Sequence, residues 1–464
     1  MKIELAKTEI IHFIGIGGIG MSGLSLIMKS KGLKVQGSDI SFNKNIERLK
    51  KEKIKVFIGH KKQNLHKATI VVISSAIKKN NPELIEAKKK HLPIIKRGKM
   101  LAHIVSLMKN IIVVGSHGKT TTTSLIASIF QKTKLDPTII NGGVINSIKN
   151  SAKLGKSDWS ILEADESDGS FIHIPPTYSI ITNIDREHMD FYKSMDDLKN
   201  YFTEFVEKVP SFGKSFICID DNINKNLIKK IKNKNIYTYG ISDKSNFLIK
   251  NINQKIDHTE FDLIVNVPNK IKQNIRKLKI PLLGLHNVRN SVAAAAVSLT
   301  VGISIKDIKD GLNKFKGVQR RFNKIFTLNN IDFFDDYAHH PTEIKSILEG
   351  VQNVNSKRKI ISIFEPHRYS RVMSLKKEFS KCFTKSDLVI MCPLYAAGEK
   401  KNFKFNLLKF AELIIQNSET QVVIVNNEIE LTKYLKKNLI SNEIIIGMGA
   451  GLISKWMMGL KYSL

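Results

Sequence analysis

Two glycine-rich loops constrain the fold of this chain, because each follows a short apolar run and precedes an amphipathic stretch. The first is Gly15-x-Gly17-x-x-Gly20 and the second is Gly115-Ser-His-Gly118-Lys119. A strand that enters such a loop and turns into a helix places backbone N–H groups where a phosphate can bind. Two openings of this kind predict two nucleotide-binding α/β domains in one chain.

The same alternation of apolar runs and amphipathic stretches continues beyond the second loop. A length of 464 residues suggests about three domains at roughly 150 residues each. Apolar runs at 360–364, 388–391, 421–425 and 443–446 supply the strands of a third α/β unit. We therefore predict three α/β domains, Rossmann-like at both ends with a phosphate-loop ATPase domain between them. Their expected bounds are residues 1–108, 109–317 and 318–464.

Composition excludes several classes of protein. The three cysteines share no metal-like spacing, which argues against a disulfide framework and a cysteine zinc site and fits a reducing cytoplasm. The N-terminus has no signal-peptide pattern and no apolar run is long enough to span a membrane, so we expect a soluble cytoplasmic protein. The net charge of +32 leaves nucleic acid, acidic lipid or anionic small substrates open as partners. No nucleic-acid-binding motif supports the first of these.

The first loop predicts a site for a phosphate-bearing nucleotide. Asp39 follows the second strand, where a dinucleotide site has its ribose-binding acid. The residues alone make NAD the obvious ligand, so an NAD oxidoreductase is one alternative, although it leaves the second loop unexplained. The candidate binding residues of this loop are Gly15, Gly17, Gly18, Ile19, Gly20 and Asp39.

The second loop is a shortened relative of the Walker A motif. We expect Lys119 to meet the β- and γ-phosphates of ATP and the Thr120 hydroxyl to bind Mg²⁺. Acidic clusters follow the next two strands, one beginning at Glu163 and one ending around His188, and carboxylates there would hold the metal. The candidate ATP-binding residues of this loop are Gly115, Ser116, His117, Gly118, Lys119, Thr120 and Thr121.

The third unit carries arginine and histidine residues directly after two of its strands, in the segments DDYAHHP at 335–341 and EPHRYSR at 365–371. Arginine forks bind carboxylates and phosphates in two-point fashion. ATP combined with carboxylate-binding arginines indicates activation of a carboxylate by phosphorylation, followed by attack of an amine.

Eight segments, in order, resemble those of the Mur ligase family. They are GIGGIGMSGL, GSHGKTTTT, EADESDGSF, TNIDREHMDFY, LLGLHNVRNSVAAAA, GVQRRF, DDYAHHPTE and PHRYSR, and YAAGE and GMGAG extend the match nearly to the end. The resemblance implies a UDP-sugar, not NAD, at the first loop, ATP with Mg²⁺ at the second, and an amino acid at the third domain. It implies ATP-dependent joining of L-alanine to the lactyl carboxylate of UDP-N-acetylmuramate through an acyl phosphate, in the synthesis of peptidoglycan precursors.

One further feature separates branches of the family. Relatives that act later carry a carbamylated lysine, and the corresponding count in this chain reaches Phe202, which favours the alanine-adding branch. A recycling ligase that attaches a whole tripeptide to the same UDP-sugar remains the nearest alternative. A nucleic-acid-binding protein is a more distant one.

The resemblance also implies roles for individual residues. Lys119 would neutralise the γ-phosphoryl group, Thr120 and Glu163 would bind Mg²⁺, and His188 would meet a second metal or the acyl phosphate. Further roles fall to these residues: Ser74, Ser75 and Ala76 in the UDP pocket; Asn287 and Asn290 at the nucleotide; Arg321 and Asp336 at ATP after domain closure; His367, Arg368 and Arg371 at the substrate carboxylate; Tyr337 and His339 at the alanine. Three positions depart from the family pattern: Gly169 for alanine, Ala338 for glycine and Glu365 for glutamine.

Overall fold

A computed structural model describes residues 8–74, 76–189, 191–233, 235–268, 271–355, 357–400, 402 and 404–464. The chain forms three sheets of five, ten and six strands. It divides into two compact units, the first comprising 1–252, 261–280 and 289–316 and the second 253–260, 281–288 and 317–464. The three sheets confirm the three predicted α/β domains. The exact boundaries at 108 and 317 stay a prediction.

The first sheet is parallel and has the strand order β3-β2-β1-β4-β5. Strand order reverses at β1, and in such sheets ligands bind beyond the carboxyl end of the strands at that point. The first glycine loop lies there. The elements are β1 (Ile10–Ile14), α1 (Ile19–Ser30), β2 (Lys34–Asp39), α2 (Lys44–Lys51), β3 (Lys55–Ile58), β4 (Ile70–Ile73), α3 (Pro82–Lys89), β5 (Ile94–Lys96) and α4 (Arg97–Val105).

The second sheet has its own reversal, since its first strand lies between strands that come later in the chain. The elements are β6 (Lys109–Val114), α5 (Lys119–Phe130), β7 (Thr138–Ile145), β8 (Asn150–Lys153), β9 (Trp159–Glu163), β10 (Tyr178–Ile181), α6 (Met195–Glu207), β11 (Lys214–Cys218), α7 (Asn222–Lys230), β12 (Ile236–Gly240), β13 (Phe247–Gln254), β14 (Thr259–Val265), β15 (Gln273–Ile280), α8 (Leu285–Val301) and α9 (Ile305–Asn313). β6 pairs in parallel with β9 on one side and with β10 on the other. The phosphate loop after β6 therefore lies between the two acidic segments that follow β9 and β10.

The third sheet has the order β16-β17-β21-β18-β19-β20. Its elements are β16 (Asn323–Leu328), β17 (Ile331–Asp336), α10 (Pro341–Val354), β18 (Lys359–Phe364), α11 (Tyr369–Ser374), α12 (Lys376–Phe379), β19 (Leu388–Met391), α13 (Leu407–Ser418), β20 (Gln421–Ile424), α14 (Glu428–Asn438), β21 (Glu443–Met448) and α15 (Ile453–Ser463). β16 is antiparallel to β17, and the other neighbouring pairs are parallel. The segments DDYAHHP and EPHRYSR continue from β17 and β18 at the carboxyl edge.

Apolar packing explains why these runs become strands. β6 and β21 are covered on both faces. All of their residues except Lys109 are buried, and all except Lys109, Asn110 and Glu443 are apolar or glycine. One hydrophobic core extends through the first two sheets, joining residues of β1 such as Phe13 to residues of α6 such as Phe202. Within the described residues, no helix is long and apolar enough to cross a membrane.

Candidate active site

Hydrogen bonds from β2 hold the first glycine loop. The backbone N–H groups of Gly15 and Ile16 donate to the Ser38 carbonyl oxygen over 2.8 and 2.9 Å. Gly15 has a φ of +83°, a conformation that glycine adopts without strain. Gly17 N donates to Asp39 Oδ2 at 2.8 Å. Asp39, which we predicted at the ribose, therefore binds the loop itself in this structure, and its contact with a nucleotide stays a prediction.

The residues next to this loop lie as the sequence suggests. Gly18 precedes α1, which begins at Ile19 and has no side-chain cap. Ser74 follows β4, and its Cβ lies 3.6 Å from the point where a Cβ on Gly15 would stand. Ala76 N donates to Ser74 Oγ at 3.3 Å. Ser75 lies outside the described residues.

Two neighbouring elements shape the second loop. Gly115 has a φ of +135°, and a Cβ there would lie 2.1 Å from Thr182 Oγ1 after β10. Gly118 has a φ of +83°, and its Cβ would lie 2.6 Å from Asn290 Oδ1 on α8. His117 N donates to Asn183 Oδ1 at 2.8 Å. Both glycines are required by close packing. Asn290 lies at the loop, and its contact with the nucleotide stays a prediction.

Lys119 is buried among oxygen acceptors. Its Nζ donates to the carbonyl oxygens of Gly115 and Ser116, at 2.6 and 3.2 Å. It also donates to Glu166 Oε1 at 3.0 Å, and the two side chains are only 14% and 2% exposed. Burial alone would lower the pKa of Lys119, but the carboxylates of Glu166 and Glu163 raise it. The amine is therefore a permanent cation at the base of the loop.

Thr120 and Glu163 form the second contact of this site. Thr120 Oγ1 donates to Glu163 Oε1 at 3.0 Å, and Gly142 N donates to Glu163 Oε2 at 2.6 Å. A hydroxyl and a carboxylate are hard oxygen donors of the kind that Mg²⁺ prefers. The predicted pair of metal ligands is therefore assembled next to the lysine.

His188 belongs to a compact acidic cluster. Its Nε2 lies 3.5 Å from Glu166 Oε1 and 3.8 Å from Glu187 Oε2, and the ligand atoms of the three residues lie within 4.8 Å of one another. Burial alone would lower the pKa of His188, but hydrogen bonding to Glu166 and its charge raise it. His188 has a φ of +57°, an uncommon value that turns the ring away from the regular path of the chain.

Sequence reasoning missed the importance of Glu166 and Glu187. Both stand in the acidic segments that we singled out, but only Glu163 and His188 received roles. Glu166 contacts Lys119 and His188 at once, which places it at the centre of the cluster. The only signal in the sequence was their position in acidic segments at the ends of strands. That position does not show which carboxylate of a segment contacts Lys119 or His188.

In the second unit, Asp336 is a buried backbone acceptor. Its Oδ2 accepts from Phe322 N at 2.7 Å and its Oδ1 from Ala338 N at 2.6 Å. Burial raises the pKa of Asp336 to about 7, in spite of the opposing charge of Arg321. Arg321 Nη1 lies 3.7 Å from Glu343 Oε1, and its guanidinium lies 5.4 Å from the Tyr337 ring centroid. Contact of Arg321 and Asp336 with ATP stays a prediction.

The residues predicted at the amino acid form a row of rings. His339 packs edge-on against Tyr337 and His367, with centroids 5.2 and 5.4 Å apart. His367 stacks on Tyr395 at 5.7 Å and its Nδ1 lies 2.9 Å from Arg371 Nη1. Tyr395 is a further residue of this row that received no role from sequence.

Asn287, on the first turn of α8, donates from Nδ2 to Leu283 O at 2.8 Å.

Arg368 stands in a strained conformation beside this row. Its φ is +65°, which is rare for a residue with a side chain, and its N–H donates to Tyr395 O at 2.9 Å. Strain of this kind persists where the surrounding structure imposes it, and it is frequent at functional sites. The Arg368 side chain therefore starts from a backbone conformation that its surroundings impose, just beyond the carboxyl end of β18.

The three departures from the family pattern have local explanations. Gly169 has a φ of +66°, and a Cβ there would lie 2.6 Å from Tyr201 Cε1. Ala338 is fully buried and its φ is not positive, so the backbone accommodates a methyl group at this position. Glu365 accepts from Gly451 N and Leu452 N with its two oxygens, both at 2.9 Å. A glutamine amide offers only one acceptor oxygen.

His367 makes this unit sensitive to acid. Burial, together with His339, Arg371 and Arg368, lowers its pKa to about 3. Because the unfolded pKa is about 6.5, His367 contributes stability above that pH and loses it as the pH falls toward 3. We expect His367→Gln to narrow the difference in unfolding free energy between pH 7.5 and 4.5 by about 1–2 kcal/mol, measured by urea denaturation. His66→Gln, at an exposed site, should leave the difference unchanged. Parallel pH profiles for His367→Gln and the wild type would contradict this assignment.

Comparison with known proteins finds similar proteins along nearly the whole chain. Residues 10–109 match the Mur ligase family catalytic domain, residues 113–298 the Mur ligase middle domain, and residues 320–451 the Mur ligase glutamate ligase domain. The solved UDP-N-acetylmuramate-alanine ligase of Thermotoga maritima is similar in structure, with a TM-score of 0.82 and 26% identity, covering 97% of this chain and 98% of that one. A murein peptide ligase of Psychrobacter arcticus shares the fold at 23% identity and a TM-score of 0.73, over 98% of each chain.

Curated relatives are similar at the level of sequence. The UDP-N-acetylmuramate–L-alanine ligase of Pelagibacter ubique is 66% identical over 460 residues, which cover 99% of each protein. The enzyme of the same name from Rickettsia felis is 44% identical over 465 residues, which cover 98% of this chain and 97% of that one. With three family domains matched in order and this degree of identity over the full length, the chain belongs to the Mur ligase family, whose members are ATP-dependent ligases.

Proposed function

We propose that this protein joins L-alanine to the lactyl carboxylate of UDP-N-acetylmuramate at the expense of ATP. The observation that carries the proposal is the 66% identity over 460 residues to the Pelagibacter ubique ligase named for this reaction. The geometry agrees with it, because a phosphate loop with a buried cationic lysine lies between two strand-end acidic segments.

The reaction balances in two steps. A lactyl carboxylate oxygen attacks the γ-phosphorus of ATP, ADP leaves, and an acyl phosphate forms. The amine of L-alanine then attacks the acyl carbon, phosphate leaves, and the nitrogen loses a proton. Transfer of this kind depends on positioning and charge neutralisation. Lys119 neutralises charge on the transferred group, and the N-terminus of α5 adds backbone N–H donors at the phosphates.

Mg²⁺ is part of the proposal. Thr120 and Glu163 would hold the ion, since their oxygens are paired at 3.0 Å beside the loop. His188, with Glu166 and Glu187, would take a second ion or face the acyl phosphate. A bound divalent cation neutralises developing charge on phosphate oxygens and orients them.

The second unit would supply the amino-acid side. Tyr337 and His339 would line the alanine, and Arg371 with His367 would orient a carboxylate, because a guanidinium contact at 2.9 Å aligns the two side chains. The low pKa of His367 keeps its ring neutral at pH 7. We place the reaction in the cytoplasm, where ATP is available, and the charge of +32 favours encounter with anionic nucleotides.

A substrate competition tests the proposal. Purified protein is given ATP, Mg²⁺ and UDP-N-acetylmuramate with either L-alanine or the murein tripeptide, and phosphate release is followed. We expect turnover with L-alanine, with a kcat/KM at least about tenfold above that with the tripeptide, a difference of roughly 1.4 kcal/mol. Preference for the tripeptide would favour the recycling ligase instead. Absence of phosphate release with either L-alanine or the tripeptide would reject both functions.

Arg368 gives a second prediction on the same assay. We expect Arg368→Ala to raise the KM for the UDP-sugar about 10- to 100-fold and the KM for ATP far less, because a guanidinium fork on a carboxylate contributes chiefly to binding. Lys377→Ala, an exposed cation in α12, is the matched control and should leave both constants unchanged. A larger effect on ATP would assign Arg368 to the nucleotide.

A further inference from the structure

Arg97 contacts two of the functional segments of the first unit at once. It is the first residue of α4, and its side chain is 18% exposed. Its Nη2 donates to Asp165 Oδ2 at 3.1 Å, in the acidic segment after β9. Its Nη1 lies 2.9 Å from the point where a Cβ on Gly20 would stand, at the first turn of α1. One guanidinium thus joins the first glycine loop to the segment that carries Glu163 and Glu166.

The first glycine loop needs a cation for the ligand that we propose for it. A diphosphate carries about two negative charges, whereas Asp39 already places a carboxylate on the loop at Gly17 N, 2.8 Å away. The first turn of α1 contributes partial positive charge but no basic side chain. Among the described atoms nearest to a Cβ on Gly15, Gly17, Gly18 or Gly20, those of Arg97 supply the only cation.

We propose that Arg97 binds the diphosphate of the UDP-sugar at the first glycine loop. This inference rests on the proposed function and adds to it a binding residue outside the loop. The planar fork suits a phosphate, since Nη2 is occupied by Asp165 while Nη1 faces the loop. The partial exposure of the side chain leaves an approach for the ligand.

Asp165 is a positioning residue in this arrangement. Its Oδ1 accepts from Ser167 N at 3.0 Å, which fixes the carboxylate, and its Oδ2 holds the guanidinium. The guanidinium is therefore held in place before the ligand arrives, which reduces the entropy lost on binding.

The same contact explains the third glycine of the loop. A Cβ on Gly20 would meet Arg97 at Nη1, Cδ and Cζ, at 2.9, 3.4 and 3.5 Å. Gly20 has no positive φ, so alanine is acceptable to the backbone. A methyl group on residue 20 would therefore displace the end of the Arg97 side chain.

Calorimetry on the full chain with UDP, uridine and a non-hydrolysable ATP analogue tests the inference. We expect Arg97→Met, which keeps the aliphatic stem, to weaken UDP binding about 10- to 100-fold, as loss of a charged hydrogen bond predicts. Binding of uridine and of the ATP analogue should change less than about threefold, because uridine lacks the diphosphate and the ATP analogue is proposed to bind at the second loop. Arg97→Lys, which keeps the charge without the fork, should fall between the wild type and Arg97→Met. Lys99→Ala, an exposed cation on the same helix, should match the wild type.

Gly20→Ala offers an independent variant that leaves the charge of the protein unchanged. It should weaken UDP binding in the same direction while uridine binding persists, which also covers the case in which Arg97→Met fails to fold. Equal losses for UDP and uridine in both variants, or unchanged UDP binding, would overturn the role of Arg97. If the wild type itself fails to bind UDP, the proposed function fails and the inference fails with it.

Discussion

Replacement of Lys119 by alanine is expected to lower the rate of ligation more than about 1,000-fold, because the Lys119 amine supplies a largely buried positive charge at the phosphate loop. From the sequence we expect this variant to stay folded, because a single loop lysine packs little. The structure adds a cost in stability. Glu166 is 2% exposed, Lys119 is the nearer of the two basic side chains described at its carboxylate, and the variant leaves it with the longer contact to His188 Nε2 at 3.5 Å. We expect a loss of about 3 kcal/mol in unfolding free energy.

A double variant separates these two effects. Lys119→Ala combined with Glu166→Gln removes both charges and should recover most of the unfolding free energy, measured by urea denaturation, while phosphate release stays absent. Lys132→Ala, an exposed lysine just beyond the end of α5, controls for loss of a positive charge and should behave as the wild type. Activity of Lys119→Ala within a few-fold of the wild type would overturn the assignment of Lys119, and a double variant as unstable as the single would show that Glu166 is not the cause of the instability.

Glu163→Gln is expected to have the second largest effect. The substitution removes the negative charge of Glu163. The Glu163 carboxylate accepts a hydrogen bond from the Thr120 hydroxyl at 3.0 Å and would bind Mg²⁺. We expect kcat to fall about 100-fold and the Mg²⁺ concentration for half-maximal activity to rise at least about tenfold, because a neutral amide is a weaker ligand for a hard cation. Phosphate release measured across a magnesium titration gives both values.

The control for Glu163 lies at the other end of the same strand. Asp158 precedes β9, is 58% exposed and pairs with Lys109 at 3.0 Å, so Asp158→Asn should leave the magnesium titration unchanged. If Glu163→Gln has the magnesium dependence of the wild type and turnover within a few-fold of it, Glu163 is not a ligand of the metal. Loss of turnover with an unchanged magnesium dependence would assign Glu163 to the contact with Gly142 N instead.

Local pattern was sufficient for much of the fold. The apolar runs at 360–364, 388–391, 421–425 and 443–446 predicted β18, β19, β20 and β21, and β19 has the expected bounds. The other three strands differ from the expected bounds by one or two residues at one end, since hydrogen bonding to a neighbouring strand decides where a strand ends. The ten-stranded order of the second sheet was beyond prediction, because pairing between distant strands depends on three-dimensional packing.

The two glycine loops were readable from the sequence for a physical reason. Positive φ and close approach demand glycine at Gly15, Gly115 and Gly118, so spacing alone locates them. Lys119, Arg368 and Arg371 were also chosen from the sequence, whereas Arg97 was not. The remaining lysines, such as Lys88–Lys90, lie away from every motif, and the charge of +32 gave no guide to the site.

By itself, then, the sequence determined the kinds of residue available at each strand end and the family to which the chain belongs. Only the tertiary structure decided which of them meet. Glu166, and not its neighbour Asp165, turns toward Lys119, while Asp165 turns toward Arg97. Adjacent side chains of one acidic run thus have different partners, because the cations that they contact come from two different helices, α4 and α5, which precede that run in the chain.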